Sequence, residues 1–99
     1  MNVYAEKNRY VESLNNTLSV VQDFQSVSYA WDALTGQEYV KISDTLGGYA
    51  CLDVTGAGLE LIFKNIVKTL LSNDRELPFG IVHDRQQLRK IAPLFRRAN

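Results

Sequence analysis

The chain predicts an α+β domain: an N-terminal helix, a three-stranded antiparallel β-meander, a long packing helix and a short C-terminal helix. Three observations carry that prediction. Apolar residues recur at helical spacing at both ends of the chain, the period drops to two in the middle, and glycine-bearing turns separate the alternating runs. Ninety-nine residues without a linker or repeat make one domain spanning 1–99.

The elements follow in order. Val3, Tyr10, Val11, Leu14, Leu18 and Val21 fall within an arc of about 100° on a helical wheel. Asn2 is placed to cap this helix. Lys7 interrupts the stripe, so its stem is expected along apolar surface with its amine in water. Residues 17–24, "TLSVVQDF", suit helix or strand equally, because Val20 and Val21 favour extension. From Val27 the alternation begins: Val27, Tyr29, Trp31 and Ala33 against Ser28, Ala30, Asp32 and Leu34. "LTGQ" is a turn with Gly36 free to take positive φ. Tyr39, Lys41 and Ser43 alternate with Val40 and Ile42, "SDTLGG" turns again, and "YACLDV" is the third run. Thr55 is read as the cap of the next helix, whose Leu59, Ile62, Phe63, Ile66, Val67 and Leu70 share an arc of about 140°. Leu61 lies opposite that arc and Leu71 at its edge, and "SNDRELP" closes the helix. "FGIV" is a short fourth strand or a loop. Asp84 is placed to cap the last helix, with Leu88, Ile91, Ala92 and Phe95 buried, and Pro93 is expected to kink or break it near Ala92. Whether the helices cover one face of the sheet or both is left open by the pattern.

Composition narrows the function classes. An apolar fraction of 45% and a charged fraction of 22% are those of a soluble globular chain. The longest apolar-rich segment is interrupted by Glu60, Lys64, Asn65 and Lys68, so no membrane span is expected. Cys51 is alone, which excludes an internal disulfide and a multi-cysteine metal centre. A lone cysteine and a polar start without an apolar leader point to a cytoplasmic protein. No cofactor or metal motif is present: "TGAG" lacks the lysine and spacing of a phosphate loop, and a single histidine cannot furnish a metal site.

Net charge is zero, yet the halves differ. Residues 1–60 hold three bases and eight acids, whereas residues 61–99 hold eight bases and three acids. Such asymmetry points to a charged partner or to attraction between the halves. In the last segment Arg85, Arg89 and Arg96 fall within about 40° of one another on a helical wheel, with Lys90 and Arg97 further round. Guanidinium forks suit carboxylate or phosphate, and cations near a helix C-terminus are also favoured for purely structural reasons. Tyr29, Trp31, Tyr39 and Tyr49 all lie on the meander. Uncovered, they would make a protein-binding or base-stacking platform; covered, they would fill a core beneath the first helix.

These features predict a small non-enzymatic protein, a regulator, inhibitor or adaptor, that binds another protein, the partner being a different chain or an identical copy. The candidate surface is Tyr29, Trp31, Tyr39 and Tyr49, the basic set Arg85, Arg89, Lys90, Arg96 and Arg97, or both. A nucleic-acid-binding regulator using the basic C-terminal helix is the alternative. A poor third is a hydrolase-like pair of Cys51 with His83, because Cys51 lies mid-strand between Ala50 and Leu52.

Overall fold

A computed structural model describes residues 2–71 and 80–97 and, for Arg97, the backbone alone. Six elements follow one another: α1 (Val3–Leu18), β1 (Phe24–Asp32), β2 (Gln37–Asp44), β3 (Tyr49–Asp53), α2 (Leu59–Leu71) and α3 (Arg85–Arg97). The strands form one antiparallel sheet in the order β1-β2-β3. This is the α+β arrangement read from the sequence, with the helices on both faces.

Sidedness follows from the register. Tyr29 pairs with Val40 and Val27 with Ile42, while Val40 pairs with Leu52. These side chains make the first face, and Val11, Leu14 and Leu18 of α1 close over it with Ile62 and Ile66 of α2. On the second face Ala30 pairs with Tyr39, and Ser28, Lys41 and Cys51 form a row across all three strands. Here α3 docks, its Ile91 buried with Tyr39 and Cys51. The molecule therefore holds two cores, a large one under α1 and α2 and a small one under α3.

Local chemistry sets the ends of the elements. Asn2 caps α1, its Oδ1 accepting from the Tyr4 amide at 2.9 Å. The helix stops at Leu18, so the ambiguous 17–24 segment resolves into a helix end, a turn and the start of β1 at Phe24, three residues before the alternation becomes visible. Asn15 then ties α1 to β1: its Oδ1 accepts from the Val27 amide at 2.8 Å and its Nδ2 donates to the Val27 carbonyl at 3.0 Å. The side-chain amide thus takes the place of a further strand at that edge. At the first hairpin Gly36 has φ of 77° and donates its amide to the Asp32 carbonyl at 2.8 Å.

Several expectations are corrected. Lys7 does not reach water: its Nζ lies 2.7 Å from Oε1 of Glu38, with both side chains largely buried. Thr55 does not cap α2, which starts four residues later with the Ile62 amide bonded to the Gly58 carbonyl; instead Thr55 Oγ1 accepts from the Glu38 amide at 2.9 Å. Phe63 and Ala92, assigned to buried faces, are exposed. Leu61 and Leu71 are exposed, as their positions off the stripe imply. The "FGIV" segment contributes a single bridge, Ile81 to Leu52, with the Val82 amide donating to the Cys51 carbonyl at 2.8 Å; Phe79 and the segment 72–78 lie outside the described residues.

Pro93 does not break α3, which runs unbroken through it and is as long as α2, at 13 residues each. Proline has no amide to give to the carbonyl of Arg89. Both residues are exposed, so water can take that carbonyl. Ile91 before the proline and Leu94 and Phe95 after it pack on the same sheet face, which holds the helix on course. Asp84 caps the start as expected: its Oδ1 accepts from the Gln86 amide at 2.8 Å, and its carbonyl from the Leu88 amide.

Candidate functional site

The second face is only partly covered, and the uncovered part collects the residues of interest. Ile91 presses α3 onto Tyr39 and Cys51, and these and the neighbouring Ala30 are buried. Toward the β2–β3 turn the same face carries Ser28, Lys41 and Ser43, half-buried, and Tyr49, exposed. A groove of about 400 Å³ runs here between the sheet and the C-terminal half of α3. Cys51, Lys41 and Ser28 line it from the strands, Leu88, Phe95 and Arg96 from α3, and Glu12 from α1. A second groove of about 340 Å³ shares Tyr49, Leu88 and Ala92 with the first and adds Arg85 and Arg89. The Lys41 amine stands 5.1 Å from the centre of the Tyr49 ring, a distance at which a cation is drawn to the π face.

The structure thus gathers some of the candidate residues and disperses others. Arg85, Arg89 and Arg96 are exposed along one side of a continuous α3 and border the two grooves. None of them has an acidic partner among the described residues, where the one ion pair is the buried Lys7–Glu38 contact. Lys90 is exposed but borders neither groove, and the side chain of Arg97 lies outside the described residues.

The aromatic platform does not form. Tyr29 is fully buried on the first face, and Trp31 is stacked between Tyr4 and Tyr29 with ring centroids 5.9 and 5.7 Å apart. Tyr39 is buried under α3 on the opposite face. Alternation explains the split, because Tyr39 pairs with Ala30 and hence faces away from Tyr29 and Trp31. Tyr49 alone of the four is exposed. Lys41, Ser28 and Glu12 were missed by the sequence reading. Their one legible signal was the alternation placing Lys41 and Ser28 on strands, and no local pattern tells which helix leaves them uncovered.

Cys51 is buried, and no hydrogen bond links it to His83 among the described residues. His83 is exposed in the segment before α3. Burial pushes the Cys51 thiol up to about 11; nearby Lys41 draws it back and Asp53 pushes it further. At neutral pH that thiol is protonated, the opposite of what attack on a substrate needs. In the folded protein Cys51 is expected to react with a thiol reagent at pH 7 at least about a hundredfold more slowly than free cysteine, since two units of upward shift alone remove that much thiolate. Timed labelling with a chromogenic disulfide checks this, and labelling as fast as free cysteine would contradict the burial. No group of three or more metal-ligating side chains occurs among the described residues, and no helix there is long and apolar enough to cross a membrane.

What the site can do chemically is hold an anion beside an apolar group. Guanidinium forks of α3 and the Lys41 ammonium stand beside a ring and aliphatic side chains. No family model, curated protein or solved structure matches the chain.

Proposed function

We propose that this chain acts by recognising another protein through the α3 side of its second sheet face, as a regulator, inhibitor or adaptor that makes and breaks no bonds. One observation carries the reading: Arg85, Arg89 and Arg96 stand exposed along one helix side, unpaired among the described residues, around an exposed tyrosine. Arginine and tyrosine are the residues that dominate binding energy at protein interfaces, and unpaired guanidinium groups favour a partner with carboxylates. The acid-rich first sixty residues of a second copy would meet the same need, so self-association is included. A lone reduced cysteine suits a cytosolic setting.

Nucleic acid is the competing partner, because phosphate also suits the arginines. With Tyr29 and Tyr39 buried and Trp31 stacked inside the fold, the stacking surface that single-stranded binding favours is reduced to Tyr49.

The test compares the intact protein with a variant carrying Arg85→Gln, Arg89→Gln and Arg96→Gln. Affinity capture at physiological salt is expected to retain a protein partner, or a second copy detected by size, on the parent and not on the variant. Binding of both to mixed-sequence DNA and RNA is measured at low and physiological salt. A steep salt dependence that the three glutamines abolish, with no protein retained, would replace this reading with the nucleic-acid one.

A further inference from the structure

The two grooves on the second face share Tyr49, Leu88 and Ala92, and their linings together describe an occupant. Resting on the reading of α3 as a recognition surface, we infer that the grooves form a docking site for an extended acidic peptide of a partner protein, about five residues long, with one aromatic or aliphatic anchor.

Charge sets the sign. Lys41, Arg85, Arg89 and Arg96 border the two grooves, against Glu12 as the acid. Lys41 is half-buried and held over the Tyr49 ring, so its ammonium is presented from the floor of the site and does not swing free in water. A ligand without an anionic group would dehydrate that amine and return little, and carboxylates are the anions that an unmodified peptide supplies.

Shape sets the class. Leu88, Ala92 and Phe95 of α3 with Tyr49 of β3 make an apolar wall that a ring or a branched aliphatic chain fills. The cations do not ring that wall. The arginines are strung along the helix from Arg85 to Arg96, eleven residues and hence about 16 Å of axis, with Lys41 on β2. An extended chain covers that length in about five residues. A free amino acid or a small carboxylate would satisfy one end of the site, whereas a peptide strand lying along α3 places its anchor in the larger groove and its acids against Arg85 and Arg89 together.

The experiment selects binders for the intact chain from a displayed library of random nonapeptides, then measures the selected peptides in solution. The expected sequences carry acidic residues within five positions of an aromatic or aliphatic residue. Replacing those acids by glutamine weakens binding about tenfold each, the usual worth of a charge-assisted hydrogen bond. Lys41→Gln and Arg96→Gln lower affinity to a similar degree. Ala92→Trp, at an exposed position, drives a ring into the shared wall and abolishes binding while the melting temperature and circular dichroism stay those of the parent. Selection that returns no binders or peptides without acids overturns the proposal, as does an RNA oligomer that displaces the peptide and binds more tightly. If Ala92→Trp keeps the peptide while the three-glutamine variant loses the protein partner, recognition by the outer side of α3 stands and the groove reading falls.

Discussion

Replacing Glu38 with alanine is expected to cost about 3–5 kcal/mol of folding free energy, the range for stripping one partner from a buried ion pair. Glu38 is 3% exposed and sits where four parts of the chain meet. Lys7 of α1 donates to its Oε1 at 2.7 Å, and the Tyr29 hydroxyl of β1 donates to the same oxygen at 2.6 Å. The amide of Gly56, in the segment leading to α2, donates to Oε2 at 2.8 Å. Removing the carboxylate strands the Lys7 ammonium and the Tyr29 phenol where water barely reaches, and takes the acceptor from the amide of the more exposed Gly56. Lys7→Met together with Glu38→Leu should recover only the share of the loss that comes from the stranded ammonium, because the Tyr29 hydroxyl and the Gly56 amide still lack their acceptor. Burial by itself pushes the Glu38 carboxyl up, but the bonds from Lys7, Tyr29 and Gly56 outweigh it and hold the group below its ordinary value. A depressed folded value means stability that is present above about pH 4.5, where the unfolded carboxyl ionises, and lost as pH falls through the folded value. At the alkaline end the sign reverses. Burial, the bond to Glu38 and its charge hold the Tyr29 phenol far above its ordinary value of 10.0, so stability falls as pH rises above that point. Urea titrations at a series of pH values check both slopes. Glu38→Ala should flatten the acid limb, and a cost below about 1 kcal/mol with an unchanged acid limb would show that the pair contributes little.

The contrast between this network and the helices shows what a sequence exposes and what it hides. The stripe through Val11, Leu14 and Leu18 and the alternation through Val27 and Tyr29 are local periodicities, and both elements form as they predict, with α1 ending before Val21 and β1 starting early at Phe24. Asn2 and Asp84 cap their helices because capping needs only a side chain two or three residues from the amide it accepts. Lys7 and Glu38 are thirty-one residues apart, and each alone reads as an ordinary surface charge. Their meeting depends on which sheet face α1 covers, a fact of tertiary packing. The same holds for the candidate site. The arginine row of α3 was legible at helical spacing, but the fate of the four aromatics turned on strand register, which no segment carries by itself. Thr55 and Pro93 were misjudged for a related reason. Thr55 found a longer-range partner in the Glu38 amide, and Pro93 fell on the wet side of a helix docked on either side of it.

Ile91→Ala is the second change expected to have a large effect, about 2–5 kcal/mol, and its consequence should be local. Ile91 is 3% exposed and supplies the apolar plug between α3 and the sheet, against Tyr39 and Cys51. Around it Val82, Leu88, Leu94 and Phe95 are only partly buried. The core under α1 and α2 is far larger, with Tyr29, Leu52, Ile62 and Ile66 fully buried. A small core holding one terminal helix is the arrangement in which a segment opens by itself, at less free energy than global unfolding requires. In the variant the amides of α3 should therefore exchange with deuterium at least about thirtyfold faster, the factor that 2 kcal/mol implies, while those of α1 and α2 change much less. Lifting α3 also uncovers Cys51, so its reaction with a thiol reagent should accelerate in parallel, which gives a readout independent of exchange. Equal loss of protection in α1 and α3 would mean that the chain opens as one unit, and the picture of a separately hinged helix would fail. If α3 does open alone, any partner gripping its outer side must also hold it down, and binding and the protection of Cys51 would then rise together.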